Sequence, residues 1–170
     1  RDYRAYNNLA ALALAKGDKS AAESYLTKAL AIDGNAAEAH ANKGLIDLVN
    51  GNVANAENNI AKAAGSENAA AAVALLNIAK GNYAQAEKDF GDTKSNGAAL
   101  AQLLNKNYAS AVATLDKVTN ADALTSYLHA IVAARQGNKF AANSYLKEAL
   151  EKDPSLKAYA DNDLEFANLK

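Results

Sequence analysis

No cysteine, methionine or tryptophan occurs in the 170 residues, and there is a single proline, Pro154. Without cysteine the chain has neither a disulfide framework nor thiolate chemistry, and its redox compartment is left open. One proline and few runs of β-branched residues argue against a sheet protein. Neither sign of charge dominates, with 18 basic against 19 acidic residues and a net charge of −1, and no long block of either sign exists. The electrostatic footprint of a nucleic-acid binder is therefore missing. No run of about 18 apolar residues is free of polar interruption, so direct insertion across a bilayer is not expected, and no stretch reads as a signal-peptide core. Because methionine is lacking even at position 1, we read the sequence as a piece of a longer protein, with Arg1 as a processing or fragment boundary.

Half of the residues are apolar while only 6% are aromatic. Alanine makes up the difference, and it combines the best helix propensity with the smallest apolar side chain. Such a chain is suited to many thin contacts between closely approaching helices, not to one deep core.

The turn signals disclose a repeat. Lys16-Gly17-Asp18-Lys19, Asn50-Gly51-Asn52-Val53, Lys80-Gly81-Asn82-Tyr83, Asn105-Lys106-Asn107-Tyr108 and Gln136-Gly137-Asn138-Lys139 each divide two helix-like stretches. Glycine ends one helix in a left-handed conformation, and the following Asp or Asn caps the next. The marker residues 17, 51, 81, 106 and 137 are separated by 34, 30, 25 and 31 residues. Five residues after each marker stands an alanine, at 22, 56, 86, 111 and 142. Four further on comes a large apolar residue: Leu26, Ile60, Phe90, Leu115 and Leu146. A small and a large residue one turn apart let two helices approach and then fill the gap between them.

These features resemble the tetratricopeptide repeat family. The first unit has Tyr6, Leu9, Ala10, Gly17, Ala22, Leu26 and Ala29 where that family places its large, large, small, turn, small, large and small residues. The last unit has Ala130, Gly137, Ala142, Leu146, Ala149 and a closing Pro154, and the second keeps Gly44 and Ala56. The third and fourth units depart from the pattern, being shortened, and the fourth lacks its turn glycine. The resemblance implies an all-α, right-handed α-solenoid of about five helix-turn-helix repeats in one domain over 1–170, with repeats near 3–36, 37–66, 67–91, 92–122 and 123–154.

Helices are expected near 2–15, 19–31, 36–49, 53–64, 67–79, 83–90, 96–104, 108–118, 121–135 and 139–151. A capping helix is expected over 155–168, with Lys157, Asp161, Asn162 and Glu165 on its polar face. Asn35 with Glu38 reads as a capping arrangement, Ser66 stands before the alanine-rich fifth helix, and Asp153-Pro154 reads as an N-cap with a first-turn proline. The turn-forming segment 91–97 is the candidate hinge.

No catalytic constellation emerges. The only histidines, His40 and His129, lie in separate repeats, lack a nucleophile signature and read as packing residues. Asp161-Asn162-Asp163 with Glu165 lacks the loop glycine of an EF-hand, so no metal or other cofactor is expected. The Gly-Asn steps follow no strand and are not phosphate loops. Tyr83, Phe90, Tyr108 and Phe140 recur at or near repeat-equivalent positions and read as core, not as a stacking platform for bases.

The resemblance places function on a groove lined by the first helices. The corresponding positions are Arg4, Asn7, Ala11, Leu14, Glu38, Ala41, Asn42, Leu45, Leu48, Leu75, Ile78, Leu100, Leu103, Tyr127, Leu128, Ile131 and Arg135. That surface is mostly apolar and suits a protein or peptide partner. A competing reading assigns the same leucines to contacts between repeats. The lysine-, asparagine- and arginine-based clamp that some members use for a terminal carboxylate is missing. Asn42 fits it, but Asn7 and Ala11 stand where Lys and Asn are needed, and Asn68 and Ala72 where Lys and Arg are needed.

We therefore expect a non-catalytic protein-interaction scaffold. The rival expectation is a structural spacer or self-association module of a larger envelope protein. The Ala, Asn and Lys richness is similar in style to repeat proteins of Gram-negative envelopes, which favours a periplasmic or outer-membrane-associated location over a cytoplasmic one.

Overall fold

The computed structural model describes residues 2–64 and 69–169. Among them there is no strand, and the helices are α1 (Tyr3–Ala15), α2 (Lys19–Ile32), α3 (Ala37–Val49), α4 (Val53–Lys62), α5 (Ala69–Ala79), α6 (Tyr83–Phe90), α7 (Asn96–Leu104), α8 (Tyr108–Leu115), α9 (Ala123–Arg135), α10 (Lys139–Lys152) and α11 (Leu156–Asp161). A 3-10 turn, Leu164–Leu169, follows. The chain forms an all-α, solenoid-type array of hairpins divided into two compact units, Arg1–Asp89 and Phe90–Lys170. The division falls at the start of the expected hinge, although Asn96 and Gly97 of that segment belong to α7.

The hairpin turns are copies of one another. The amide of the residue after each marker donates to the carbonyl five residues back: Asp18 to Ala13, Asn52 to Asp47, Asn82 to Asn77, Asn107 to Gln102 and Asn138 to Ala133, all at 2.8–2.9 Å. This closure requires a left-handed residue at the marker. Gly17, Gly51, Gly81 and Gly137 supply it with φ of 77–81°, and Lys106 adopts φ 64° without glycine's freedom. The left-handed conformation costs an L-residue about 1–2 kcal/mol, whereas glycine's extra chain entropy costs about 0.5–1 kcal/mol. Lys106→Gly is accordingly expected to stabilise the second unit by about 0.5–1 kcal/mol in urea unfolding. A loss of stability would show that Lys106 makes a compensating contact.

After the first, second and fourth turns the small-then-large pair seals the hairpin, while Phe90 and Leu146 stay half-buried. Ala22, Ala56, Ala86, Ala111 and Ala142 are all fully buried, and Leu26, Ile60 and Leu115 nearly so. A second code joins the central hairpins. The residue four before the marker hydrogen-bonds the residue eight after it: Asn59 Nδ2 donates to Asp47 Oδ2, Asn77 Nδ2 to Asp89 Oδ2 and Thr114 Oγ1 to Gln102 Oε1, each at 2.7 Å. In the first and last hairpins the same two stations hold Ala13 with Tyr25 and Ala133 with Tyr145. A part-buried polar pair across a hairpin fixes its register where alanine offers little shape to recognise.

Five local expectations are corrected. Phe140, expected in the core, is 87% exposed. The capping arrangement at Asn35 and Glu38 is not formed: Ala36 is the N-cap of α3, the Asn35 amide donates to Asp33, and Glu38 accepts from the Tyr3 hydroxyl at 3.3 Å. Asp153 ends α10, and Ser155, not Asp153, precedes α11, so Pro154 is no first-turn residue. α8 stops at Leu115, because Lys117 and Val118 tighten to bonds three residues back and Asn120 turns left-handed. The expected helix over 155–168 breaks at Asn162-Asp163, where the amides of Phe166 and Glu165 bond to Asp163 instead of continuing the α-helix. Ser66 and the expected helix start at 67–68 lie outside the described residues.

Candidate partner-binding surface

In the first unit α3 lies against both α1 and α5. The residues six before each marker on these helices are Ala11, Leu45 and Leu75, and those three before are Leu14, Leu48 and Ile78. Ala11 is exposed and the other five are half-buried. Leu14 leans on the cluster around Leu26 and Ile46, while Leu45 and Leu48 lean on the one formed by Ala56, Ile60, Ala72 and Leu76. Leu75 and Ile78 keep the aliphatic rows going at the α5 end. Arg4 stands exposed at the other end, its guanidinium on Asp2 at 2.8–3.1 Å.

Three candidate groove residues of this unit are not available to a ligand. Asn42 Nδ2 donates to Asn7 Oδ1 at 2.7 Å, and both side chains are buried between α1 and α3. Asn42, the one residue that fits the carboxylate clamp, is thus spent on a neighbouring helix, and Asn68 lies outside the described residues. Ala41 is likewise fully buried.

The second unit treats its candidates differently. Leu103, Tyr127 and Leu128 are core, at 2%, 4% and 4% exposed, and Leu100 and Ile131 pack against the clusters those residues build. The C-terminal segment takes the polar atoms of this face. The Tyr127 hydroxyl donates to Asp163 at 2.5 Å, and Phe166 meets the Tyr127 ring edge-on at 5.3 Å between centroids. Burial pushes the Tyr127 pKa well up, and the Asp163 carboxylate adds to it. Arg135 forks onto Glu165 at 2.6–3.2 Å and reaches the Leu103 carbonyl at 3.5 Å. The Glu165 hydrogen bonds hold that guanidinium charged. Spacing identified these positions as one face but not how deeply each lies.

The histidines are packing residues. His40 is buried, its Nε2 2.9 Å from the Gly34 carbonyl and its Nδ1 3.3 Å from Asn59 Oδ1. His129 stacks on Tyr145 at 4.5 Å, with Asp116 3.3 Å from its Nε2. Burial lowers its pKa below the usual 6.5 and outweighs the opposing pull of Asp116 and Glu148. The unfolded chain therefore binds a proton at a higher pH than the folded one. The stability this residue provides is complete above pH 6.5 and is lost as the pH falls from there through the folded value. Compared with His129→Gln, the wild-type melting temperature is expected to drop more between pH 7 and 5; parallel profiles would contradict the assignment.

Among the described residues no three His, Asp or Glu side chains gather as metal ligands, and no helix is long and apolar enough to cross a membrane. Asp163 and Glu165 of the acidic C-terminal cluster are engaged by Tyr127 and Arg135, and Lys157 lies 3.0 Å from Asp161.

No family model matches the sequence, and no curated protein does. Solved structures do. The chain is similar to a tetratricopeptide repeat protein from Parabacteroides merdae, with a TM-score of 0.70 at 22% identity, over 90% of this chain and 66% of that one. It also matches pilF of Pseudomonas aeruginosa, with a TM-score of 0.43 at 18% identity, over 98% of this chain and 95% of that one.

Proposed function

We propose, from the tetratricopeptide-repeat fold that this chain has, that it is a non-catalytic scaffold whose first unit binds a protein segment on the face shared by α1, α3 and α5. The observation that carries the reading is the pair of aliphatic rows on that face, Leu45–Leu75 and Leu14–Leu48–Ile78, left half-open to solvent while the alanines behind them are sealed. Apolar positions repeated on successive helices offer a partner a continuous strip instead of isolated side chains. The partner segment this strip suits is an amphipathic helix or an extended aliphatic stretch. Its affinity should be only modestly sensitive to salt, because few charges flank the rows.

In the second unit the equivalent face is closed by Asp163, Glu165 and Phe166, so binding is assigned to the first unit alone. A photo-reactive amino acid placed singly at Leu75 or Ile78 in cells that make the protein tests this. Cross-links to one partner from both positions, with none from exposed Glu57 or Lys88 on the second helices, are expected. Equal cross-linking from the second helices would overturn the reading.

A further inference from the structure

Two Asn-Gly steps occur in the chain, Asn50-Gly51 and Asn96-Gly97, and their surroundings differ. In such a step the glycine amide nitrogen, with no Cβ beside it, is the backbone nucleophile that most readily reaches the preceding side-chain carbonyl carbon. Asn96 is half-buried at the start of α7, and both ends of its amide are held: Nδ2 donates to Asp122 Oδ1 at 3.1 Å, and Oδ1 accepts from the Thr125 hydroxyl at 2.9 Å. Asn50 is exposed at the end of α3, and its side-chain carbonyl accepts from the Lys19 ammonium at 3.1 Å. Gly51, at φ 77°, has open space where a Cβ would stand. Its amide donates to the Leu48 carbonyl at 3.0 Å, a bond three residues back in the last turn of the helix, where helices fray.

We propose that Asn50 is a site of spontaneous deamidation, assisted by Lys19. Once the last turn of α3 opens, the Asn50 backbone leaves its helical ψ of −1° and the Gly51 nitrogen attacks Asn50 Cγ. The new N–C bond closes a five-membered imide. The bond from Cγ to Nδ2 breaks, and the side-chain nitrogen leaves as ammonia with the proton that the Gly51 amide gives up. Water then adds to either carbonyl of the imide and yields aspartate or isoaspartate at position 50. The negative charge of the tetrahedral intermediate develops on Oδ1, the atom to which Lys19 already donates, and a charged donor aimed there lowers the barrier. The isoaspartate product lengthens the main chain by one methylene inside the α3–α4 turn. The bond that closes this turn, from the Asn52 amide to the Asp47 carbonyl at 2.8 Å, no longer fits, and the hairpin loosens.

The reaction needs no partner, so its test is independent of the α1–α3–α5 face. The purified 170-residue chain is held at physiological temperature and mildly alkaline pH for several weeks. Digested samples are read by mass spectrometry for conversion of amide to acid at each asparagine, and by an isoaspartate-specific methyltransferase for the rearranged product. Conversion at least tenfold faster at Asn50 than at Asn96, isoaspartate among the products, and a rate at Asn50 at least threefold lower in Lys19→Met are expected. Because Lys19 is exposed, Lys19→Met should melt like wild type, so a changed rate would not report unfolding. An intact Asn50, equal rates at Asn50 and Asn96, or an unchanged Asn50 rate in Lys19→Met would overturn the proposal.

Discussion

Replacing Phe166 by alanine is expected to cost the second unit about 3–5 kcal/mol, the usual range for emptying a buried aromatic site. Phe166 is 2% exposed and is among the largest fully buried side chains of the protein. Its neighbours Ala130, Ala149 and Ala160 are too small to close over the cavity, and Tyr127 would lose its edge-on ring partner. The 3-10 turn that carries Phe166 is too short to persist without that anchor. Its loss would loosen the Asp163–Tyr127 and Glu165–Arg135 contacts as well. Urea unfolding followed through amides of α9 and α10 measures the effect. A change below about 1 kcal/mol would mean that the C-terminal segment is an accessory to the second unit and not part of its core.

The second large effect is expected at Gly44, in the middle of α3. A Cβ there would lie 2.7 Å from Ile60 Cγ1 and 3.3 Å from Cδ1, with the Ala56 carbonyl at 3.5 Å. Ile60 is buried and branched, and it is pinned beside Ala56, so it has little room to withdraw. Gly44→Leu should therefore overpack the α3–α4 hairpin and cost about 3 kcal/mol, the upper end for such insertions. Gly44→Ala serves as its control. A mid-helix alanine gains about 1 kcal/mol of helix propensity over glycine, which offsets part of the clash. A Gly44→Leu protein that unfolds at the wild-type urea concentration would show that α3 and α4 are not held at the distance described.

How far the sequence discloses the molecule depends on which kind of signal a feature leaves. The hairpin joints were legible because one residue type recurs at one offset: glycine at four of five turns and alanine five residues later at all five. Lys106 shows the limit of that signal, since the turn keeps its left-handed geometry without the glycine that announces it elsewhere. The polar pairs Asp47–Asn59, Asn77–Asp89 and Gln102–Thr114 escaped notice because what repeats is complementarity across twelve residues, not a residue type. The broken C-terminal helix escaped for another reason. Locally, 155–168 has helical composition, and the break is set by Tyr127 and Arg135, more than twenty residues upstream.

For the candidate surface, spacing selects a helix face but carries no depth. Leu48 and Leu103 share a repeat position, three residues before their markers, yet Leu48 is half-open and Leu103 is sealed. What separates them is how much of the neighbouring helices reaches across each site, which a periodicity does not encode.

The central claim is that the α1–α3–α5 face of the first unit is the partner-binding surface. It is tested most directly by the equilibrium affinity of the cross-linked partner segment for wild type and for the Leu75→Asp/Ile78→Asp double variant, with circular dichroism confirming that both are equally helical. The account predicts at least tenfold weaker binding by the double variant, about 1.4 kcal/mol or more. Unchanged affinity, together with a loss of that size on substituting the outer residues Glu57 and Lys88, would contradict it.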